Sequence, residues 1–411
     1  MIRHSKMISV CVFILAGASA RADDGFVPLF NGRDLDGWIP VNVHPGTFFV
    51  KNGEIVTTGK PTGYMRSAKQ YENFILEVDW MHVNKTEVGN SGIFVWGDTL
   101  PVPGSPFTRG IEVQVLVNLE YKDKKTGAVT ASSHGDVFSI QGATCKPDRP
   151  HPTGGMRCIP SEFRAKGGGE WNHYRIIAND GTIKLHVNGK EVAGVSNCKP
   201  HRKGYLALES EGAECHFRNI RIKALPSTNP KPEEVAPASQ GHVNLFTGIE
   251  LLNWKAGDDI KSHWKFADHR LLFDGKGPGE PLMSEKDYGN FELVADFRQV
   301  GKSTDIVLRS GDSGRLLLTA SKNELNLMQF IGDERKTAEL TIGGKVENMK
   351  AAGQWNRVVV RLRGEKASVE LNGKSVINET LFKGIPASGK IGLQGSGIAA
   401  EFANLFIRTM E

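Results

Sequence analysis

Two polar residues, Glu112 and Gln114, lie in the stretch FTRGIEVQVL (107–116), where they alternate with apolar residues. Successive side chains of a β-strand point to opposite faces, so this alternation places Glu112 and Gln114 on the same face. A carboxylate there can act as a general base, and a neighbouring amide can orient the hydroxyl groups of a ligand. The same alternation is typical of a strand face in water, and both interpretations stand at this point.

A second candidate stretch, SSHGDVFSI (132–140), contains a histidine between small and acidic residues. His134 is the candidate general acid or base, Gly135 lets a ligand approach the backbone, and Asp136 can orient the imidazole. A histidine in water and an Asx turn at Asp136 are the alternatives. A basic, proline-bounded loop follows, which can close over a substrate or form a charged surface loop; its residues are Lys146, Arg149 and His151.

The stretch ESEGAECH (209–216) clusters three glutamates and a histidine. Glu209 and Glu211 can share a strand face, and His216 can join them. A structural calcium site or the wall of a cleft is one interpretation, and a hairpin end in water is the other. No other cofactor and no catalytic metal is expected.

These candidates are set in a framework that the chain contains twice. Five segments of the first half return in the second, among them VPLFNGRDLDGW (27–38) as VNLFTGIELLNW (243–254) and ENFILEVDW (72–80) as GNFELVADF (289–297). Short alternating stretches separated by turns such as Asn188-Gly189 predict strands and hairpins, and no long segment has helical periodicity. The sequence therefore predicts an all-β protein of two tandem jelly-roll β-sandwiches, at 23–224 and 242–411, joined by a Pro-rich linker at 225–241.

The two copies differ in length. Trp80 matches Phe297 and Trp171 matches Trp355, so the first copy has about 33 more residues between these landmarks. The extra length falls in residues 97–168, which contain the first two candidate stretches. Long loops that a sandwich does not need for closure are more often functional than decorative.

The first 22 residues have a basic start, a short apolar run and an A-x-A site, which predicts a signal peptide cleaved after Ala22 and a secreted or periplasmic protein. Removing its three positive charges lowers the formal net charge from +5 to about +2, so no nucleic-acid partner is expected. No later stretch is apolar enough to span a membrane. Four cysteines remain, which allow three disulfide pairings, and Cys145 with Cys158 is the first expectation.

The motifs LFNGRDLDGW, ENFILEVDW, GNSGIFV, GIEVQVL, HGDVFSI, GEWNHYRI, VNGKEV and ESEGAECHFRNIRIK occur in this order. Together they resemble the 3-keto-disaccharide hydrolase domain, a former domain of unknown function with a concanavalin-A-like jelly roll. The resemblance is specific over about 25–225 and weaker over about 242–409. It implies a carbohydrate substrate whose C3 hydroxyl has been oxidised to a ketone.

The resemblance also assigns expectations to individual residues. Glu112 and Gln114 match the family's E-x-Q pattern, and His134 joins Glu112 as a candidate catalytic residue. Substrate-binding candidates are Gln114, Asn90, Ser91, Trp96, Arg109, Asp136, Lys146 and His151. Trp96 stands where the family often has arginine, and it is expected either to stack on a sugar or to lie in the core. If that arginine binds the ketone, Arg109 or Arg66 must supply the charge here.

The implied reaction needs little machinery. A C3 ketone acidifies the proton on C2, a general base removes it, and the C1 leaving group departs by β-elimination before water adds back. A retaining glycosidase on this strand is disfavoured, because Gln114 stands where a second acid would be needed. The alternative to an enzyme is a non-catalytic, lectin-like carbohydrate-binding or structural protein, since the second copy lacks counterparts of Glu112, Gln114 and His134.

Overall fold

The computed structural model describes residues 24–117, 121–122, 129–131, 134–152, 154–255, 257–276, 280–332, 338–394 and 398–411. The predicted signal peptide lies outside these residues. Within them the fold is all-β, as predicted, with four large antiparallel sheets arranged as two sandwiches. One short helix, α1 (Asp258–Ser262), and a 3₁₀ turn at Pro232–Glu234 complete the described secondary structure. No described helix is long and apolar enough to cross a membrane.

The first sandwich consists of sheets 1 and 2. Sheet 1 has the order β12-β16-β15-β14-β6-β18-β4-β3, with β1 paired to β18. Its strands are β1 (Val27–Pro28), β3 (Phe48–Lys51), β4 (Glu54–Thr57), β6 (Phe74–His82), β12 (Thr144–Pro147), β14 (Asn172–Asn179), β15 (Thr182–Val187), β16 (Lys190–Lys199) and β18 (Cys215–Ala224). Sheet 2 has the order β13-β11-β8-β7-β17-β5-β2. Its strands are β2 (Trp38–Val41), β5 (Gly63–Tyr71), β7 (Gly89–Gly97), β8 (Gly110–Val117), β11 (Val137–Ile140), β13 (Arg157–Cys158) and β17 (Gly204–Ser210). A separate two-stranded ribbon pairs β9 (Tyr121–Lys122) with β10 (Val129–Ala131).

The second sandwich repeats this plan. Sheet 3 has the order β21-β22-β33-β24-β29-β30-β31, with β19 paired to β33. Its strands are β19 (Val243–Asn244), β21 (Trp264–Ala267), β22 (Arg270–Phe273), β24 (Phe291–Gln299), β29 (Trp355–Arg363), β30 (Lys366–Leu371), β31 (Lys374–Leu381) and β33 (Ala400–Thr409). Sheet 4 has the order β20-β23-β32-β25-β26-β27-β28. Its strands are β20 (Trp254–Lys255), β23 (Leu282–Tyr288), β25 (Thr304–Gly311), β26 (Gly314–Ser321), β27 (Glu324–Ile331), β28 (Leu340–Lys345) and β32 (Gly389–Gln394).

Alternation in the sequence builds both cores. In β14 and β29 every second residue is buried, so one face of each strand points into its sandwich. The hairpin turns predicted at Asn-Gly are present: Asn188 and Gly189 have φ of 47° and 88°, and Asn372 and Gly373 have φ of 47° and 79°. Only glycine and, less readily, asparagine adopt two such angles in succession, which is why this dipeptide marks two-residue hairpins.

The two sandwiches meet face to face. The outer face of sheet 2 contributes Tyr64, Phe94 and Ala207 to an apolar cluster that also contains Val294 and Phe406 from sheet 3. The connecting segment follows the first sandwich, since Ala236 is buried and its N–H donates to the carbonyl of Lys203. The predicted linker therefore packs against the first sandwich at this point.

The expected Cys145–Cys158 disulfide is wrong in this structure, because all four described cysteines are free thiols and buried. Cys145 donates to the carbonyl of Met156, and Cys158 receives the N–H of Gly194. Burial raises the pKa of the thiols of Cys198 and Cys215, which keeps both protonated and unreactive. The cysteines thus pack as small apolar residues of the first core.

Candidate functional site

Glu112 and Gln114 share a face of β8, as the alternation predicts, but that face is covered. Glu112 pairs with Phe94 of β7 and with Phe138 of β11, and Gln114 pairs with Gly92. Their exposed fractions are 6% and 7%. A solvated strand face would leave both side chains in water, so the structure rules out that interpretation.

A glycine lets two carboxyl groups meet on this face. Leu208 of β17 pairs with Ile93, which brings Glu209 beside Gly92 on the outer face of sheet 2. A Cβ atom at Gly92 would lie 2.9 Å from Oε1 of Glu112 and 2.9 Å from Oε2 of Glu209. The two oxygens are therefore separated by at most twice that distance. Any side chain at position 92 would occupy the space that the carboxyl groups fill.

Amide groups hold the surrounding side chains in place. Gln114 donates from Nε2 to Oδ1 of Asn90 at 2.8 Å and to the carbonyl of Ser91 at 3.2 Å. Asn90 in turn donates from Nδ2 to Oε2 of Glu211 at 2.5 Å. Among the described residues no hydrogen-bond partner reaches Oε2 of Glu209, which is buried. Within the described residues, that oxygen is thus a buried polar atom of the cluster that can interact with a ligand.

Burial governs the protonation of the three glutamates. It raises the pKa of Glu112 to about 8, helped by the charges of Glu211 and Asp136 and opposed by Arg157. Burial also raises the pKa of Glu209 well above its ordinary value, and Glu112 and Glu211 add to the effect. The pKa of Glu211 is raised by burial as well, but the hydrogen bonds from Glu209 and Asn90 oppose this. Glu209 is therefore the glutamate that keeps its proton most firmly.

A cationic group stands at one side of the glutamates. Arg157 of β13 pairs with Phe138, the neighbour of Glu112 on β11, and stacks over its ring at 3.5 Å. Its guanidinium forms a 2.7 Å ion pair with Asp136, which is fully buried. The N–H of His151 donates to the carbonyl of Arg157, and both residues line an open cavity of about 270 Å³. Asp136 thus lies near Glu112 and orients Arg157, and His151 lies next to Arg157.

Two of the substrate-binding expectations are wrong. Trp96 is 1% exposed, lies in the first core and donates from Nε1 to the carbonyl of Glu72 at 2.8 Å, so no sugar can stack on it. Ser91 points to the core side of β7, where its hydroxyl donates to the carbonyl of Glu209. The alternation that turns Asn90 toward the glutamates turns Ser91 away from them.

The arginine that corresponds to Trp96 in the second copy is structural too. Arg309 is fully buried and donates from Nε to the carbonyl of Gly289, the counterpart of Glu72. Trp96 and Arg309 have φ of 56° and 47°, so both occupy the same left-handed kink of their strand. Trp96 therefore makes the same kind of structural contact as Arg309. The absence of an arginine at position 96 does not remove a charge from the glutamate cluster.

Three other expected residues, Arg109, Arg66 and Lys146, lie away from the glutamates in the described structure. Arg109 forms an ion pair with Asp98 at the other end of the β7–β8 hairpin. The donors of Arg66 bind the carbonyls of Thr99 and Ser67 and the hydroxyl of Ser239. Lys146 is exposed on β12, at the edge of sheet 1. His134 makes an edge contact with the ring of Phe163, at 5.5 Å between centroids, and its catalytic role stays a prediction.

Sequence reasoning missed two members of this site, Gly92 and Arg157, and it named Glu209 and Glu211 only as one of two interpretations of the stretch 209–216. The 209–216 cluster was a visible signal, and Glu209 and Glu211 do line the face that it allowed for. His216 does not join them, because it binds Glu54 and Glu214 instead. No group of three or more His, Cys, Asp or Glu side chains in the described part of the chain is arranged to hold a metal ion.

The outer face of sheet 2 thus brings together carboxyl and amide side chains on a β-sandwich. The chain belongs to the family of the 3-keto-alpha-glucoside-1,2-lyase-like domain, whose model matches residues 25–223 and again residues 241–408. The family match therefore covers residues of both sandwiches.

The chain is also similar to individual proteins. The chain is 23% identical over 249 residues to a 3-keto-disaccharide hydrolase of Bacteroides thetaiotaomicron, across 49% of this chain and 79% of the relative. A crystal structure from Parabacteroides distasonis, of a protein provisionally described as a glycosyl hydrolase, has 23% identity and a TM-score of 0.38. It covers 49% of this chain and 94% of its own. A Bacillus licheniformis β-glucanase has 10% identity and a TM-score of 0.33, across 41% of this chain and 95% of its own.

Proposed function

We propose that the protein is an exported enzyme that cleaves 3-keto-glycosides, including 3-keto-disaccharides, by proton abstraction at C2, β-elimination and hydration. The observation that carries this proposal is the carboxyl pair over Gly92, in which Glu112 and Glu209 approach one small volume from two strands. The elimination needs one group that removes a proton and one that gives a proton, and the two carboxyl groups differ in that sense.

Glu112 is the proposed base. The C3 ketone acidifies the C2 proton only moderately, so a carboxylate of ordinary pKa is a weak partner for it. Burial raises the pKa of Glu112 to about 8, which makes its carboxylate a stronger base than one of ordinary pKa. When the C2–H bond breaks, its electron pair moves to the C3 oxygen, and the positive charge of Arg157 stands near the developing enolate.

Glu209 is the proposed acid. Its raised pKa keeps it protonated at neutral pH, and its Oε2 has no hydrogen-bond partner among the described residues. As the enolate collapses, the C1–O bond breaks, the leaving oxygen takes the proton of Glu209, and a C1=C2 double bond forms. Water then enters the site, where it exchanges the proton held by Glu112, adds its hydroxyl to C1 and gives its remaining proton to Glu209, while Glu112 delivers a solvent-derived proton to C2. The net reaction is hydrolysis.

The test compares a 3-keto-disaccharide with its unoxidised parent in D₂O, using the purified full chain. We expect monosaccharide release from the oxidised substrate alone, and deuterium at C2 of the released keto sugar beyond that in a product standard incubated without enzyme. Glu112→Gln should lower the rate at least 100-fold, whereas Glu285→Gln, which changes an exposed strand carboxylate of the second sandwich, should leave it unchanged. Release without deuterium at C2 would contradict the elimination.

A second candidate is direct hydrolysis of unoxidised glycosides with retention. The upper limit on the separation of the Glu112 and Glu209 oxygens includes the roughly 5–5.5 Å that retaining glycosidases use. The second carboxyl comes from β17 and not from β8, which is why Gln114 does not settle the question. Cleavage of the unoxidised disaccharide in the same assay would select this candidate, and binding without cleavage of either sugar would select the lectin-like alternative.

A further inference from the structure

The second sandwich holds the loop that joins β7 to β8. Asp296 accepts the N–H of Gly104 at 2.9 Å, and Arg357 donates to the carbonyl of Pro101 at 2.8 Å. Nδ2 of Asn404 donates to the carbonyls of Val102 and Ser105, both at 3.0 Å. The second sandwich therefore forms hydrogen bonds with several main-chain groups of the loop at 98–109. These bonds fix the position of the loop more closely than apolar contacts would.

The loop packs closely against the second sandwich at Gly104. Gly104 has φ of 75°, and a Cβ atom there would lie 2.1 Å from Cγ of Trp355. The glycine backbone thus rests on the indole ring, and its carbonyl meets Nε2 of His269 at 2.9 Å. Nδ2 of Asn42 adds a 2.5 Å bond to Oδ1 of Asn404.

The first sandwich has a group of side chains equivalent to Asp296, Arg357 and Asn404. Asp79 accepts from Nδ2 of Asn219 and lies within 2.8 Å of Nδ1 of His173, at the positions that match Asp296, Asn404 and Arg357. Asn219 and Asn404 have φ of 52° and 49°, so they occupy the same turn. The first-sandwich group faces an open cavity of about 560 Å³, whereas Asp296 and Asn404 are buried under the loop.

The held loop leads directly into the site. Its two ends continue as β7, with Asn90 and Gly92, and as β8, with Glu112 and Gln114. Phe94, the cross-strand neighbour of Glu112, packs in the apolar cluster shared with the second sandwich. The low exposure of Glu112 thus occurs on the face that the second sandwich covers.

The second sandwich also adds a charge to the edge of the site. Asp268 lies in the turn between β21 and β22, next to His269, and its charge raises the pKa of Glu211. The same turn therefore touches the held loop through His269 and acts on the glutamates through Asp268.

We propose that the second sandwich is a positioning domain of the site: by holding the 98–109 loop it fixes the β7–β8 hairpin and keeps water from the glutamates. Asn404 is the central positioning residue, since its side chain bonds two loop carbonyls, Asn42 and Asp296. The catalytic part of this inference rests on the proposed function, while the mechanical part does not.

The test uses the repeat as its own control. Asn404→Gly removes the docking side chain without straining a left-handed turn, and Asn219→Gly makes the same change in the first sandwich, away from the loop. Hydrogen–deuterium exchange of the full chain, followed by mass spectrometry, should show at least tenfold faster exchange in peptides from residues 89–117 for Asn404→Gly only. Equal exchange in the two variants would overturn the proposal, whatever the enzyme does.

The catalytic readout is the pH profile on a 3-keto-disaccharide. Asn404→Gly should lower kcat by about 10- to 100-fold and move the limb set by Glu112 to lower pH, because water reaches a carboxyl that also faces Glu209, Glu211, Asp136 and Arg157. A loss of kcat with an unmoved limb would overturn the proposed exclusion of water. Should Asn404→Gly not fold, His269→Ala, on the hairpin turn, should change the profile in the same direction. If wild type turns over no substrate but exchange responds as expected, the proposed function fails and the positioning role stands.

Discussion

The protonation of Glu112 can be tested through stability, without any substrate. In the unfolded chain its pKa is the ordinary 4.5, whereas in the folded protein burial raises the pKa to about 8. Between these values the unfolded chain releases a proton that the folded protein keeps. The free energy of unfolding therefore falls as the pH rises from about 4.5 to about 8, and it stays lowered above that.

Glu112→Gln removes this dependence, because the amide has nearly the shape of the protonated carboxyl and does not ionise. A pKa shift of one unit corresponds to about 1.4 kcal/mol. The free energy of unfolding of the variant, relative to that of wild type, should therefore rise by on the order of 5 kcal/mol between pH 4.5 and pH 8. For a sandwich of this size that amounts to a difference in Tm of roughly 10 °C at pH 8.

Differential scanning calorimetry at intervals between pH 5 and pH 8 measures this difference. At pH 5 wild type and Glu112→Gln should melt within a few degrees of each other, and the variant should become progressively the more stable. Glu285→Gln serves as the control and should follow wild type at every pH. A difference between Glu112→Gln and wild type that does not change with pH would refute the assignment of a raised pKa to this carboxyl.

Three further outcomes follow from single contacts. Gly92→Ala should lower kcat at least tenfold in steady-state assays, because its Cβ would lie 2.9 Å from two carboxyl oxygens. Arg157→Gln should move the Glu112 limb of the pH–rate profile to higher pH, since Arg157 lowers that pKa. Trp96→Ala should lower the free energy of unfolding by about 3–5 kcal/mol in denaturant titrations while leaving KM unchanged, because the ring lies in the core.

Local patterns predicted the framework well. Alternation placed Glu112 and Gln114 on one face, and the register of β8 against β7 confirms it. The dipeptides Asn188-Gly189 and Asn372-Gly373 predicted hairpins that are present with the required angles. These features depend only on residues that are neighbours in the sequence. They can therefore be predicted without knowing how the rest of the chain folds.

Long-range pairing could not be predicted in the same way. Glu209 reaches Glu112 only because β17 lies beside β7, and residues 92 and 209 are far apart in sequence. Trp96 was ambiguous for a different reason: it sits at a left-handed kink, where the simple alternation of faces breaks down. The covering of the site by the second sandwich depends on two folded units meeting, which no pattern in either unit reveals.

The second sandwich keeps the framework but does not repeat the site, and the register shows why. Asp305 lies four residues before the kink at Arg309, as Gly92 lies four before the kink at Trp96. Asp305 pairs with Gln394 and Thr319, and Val307 pairs with Leu317, where the first sandwich has Glu209, Gln114 and Glu112. With a side chain in place of the glycine and no glutamates beside it, sheet 4 has neither the space nor the carboxyl pair. The described residues thus give the two copies separate tasks: the first sandwich carries the glutamates, and the outer face of sheet 3 holds the loop that positions them.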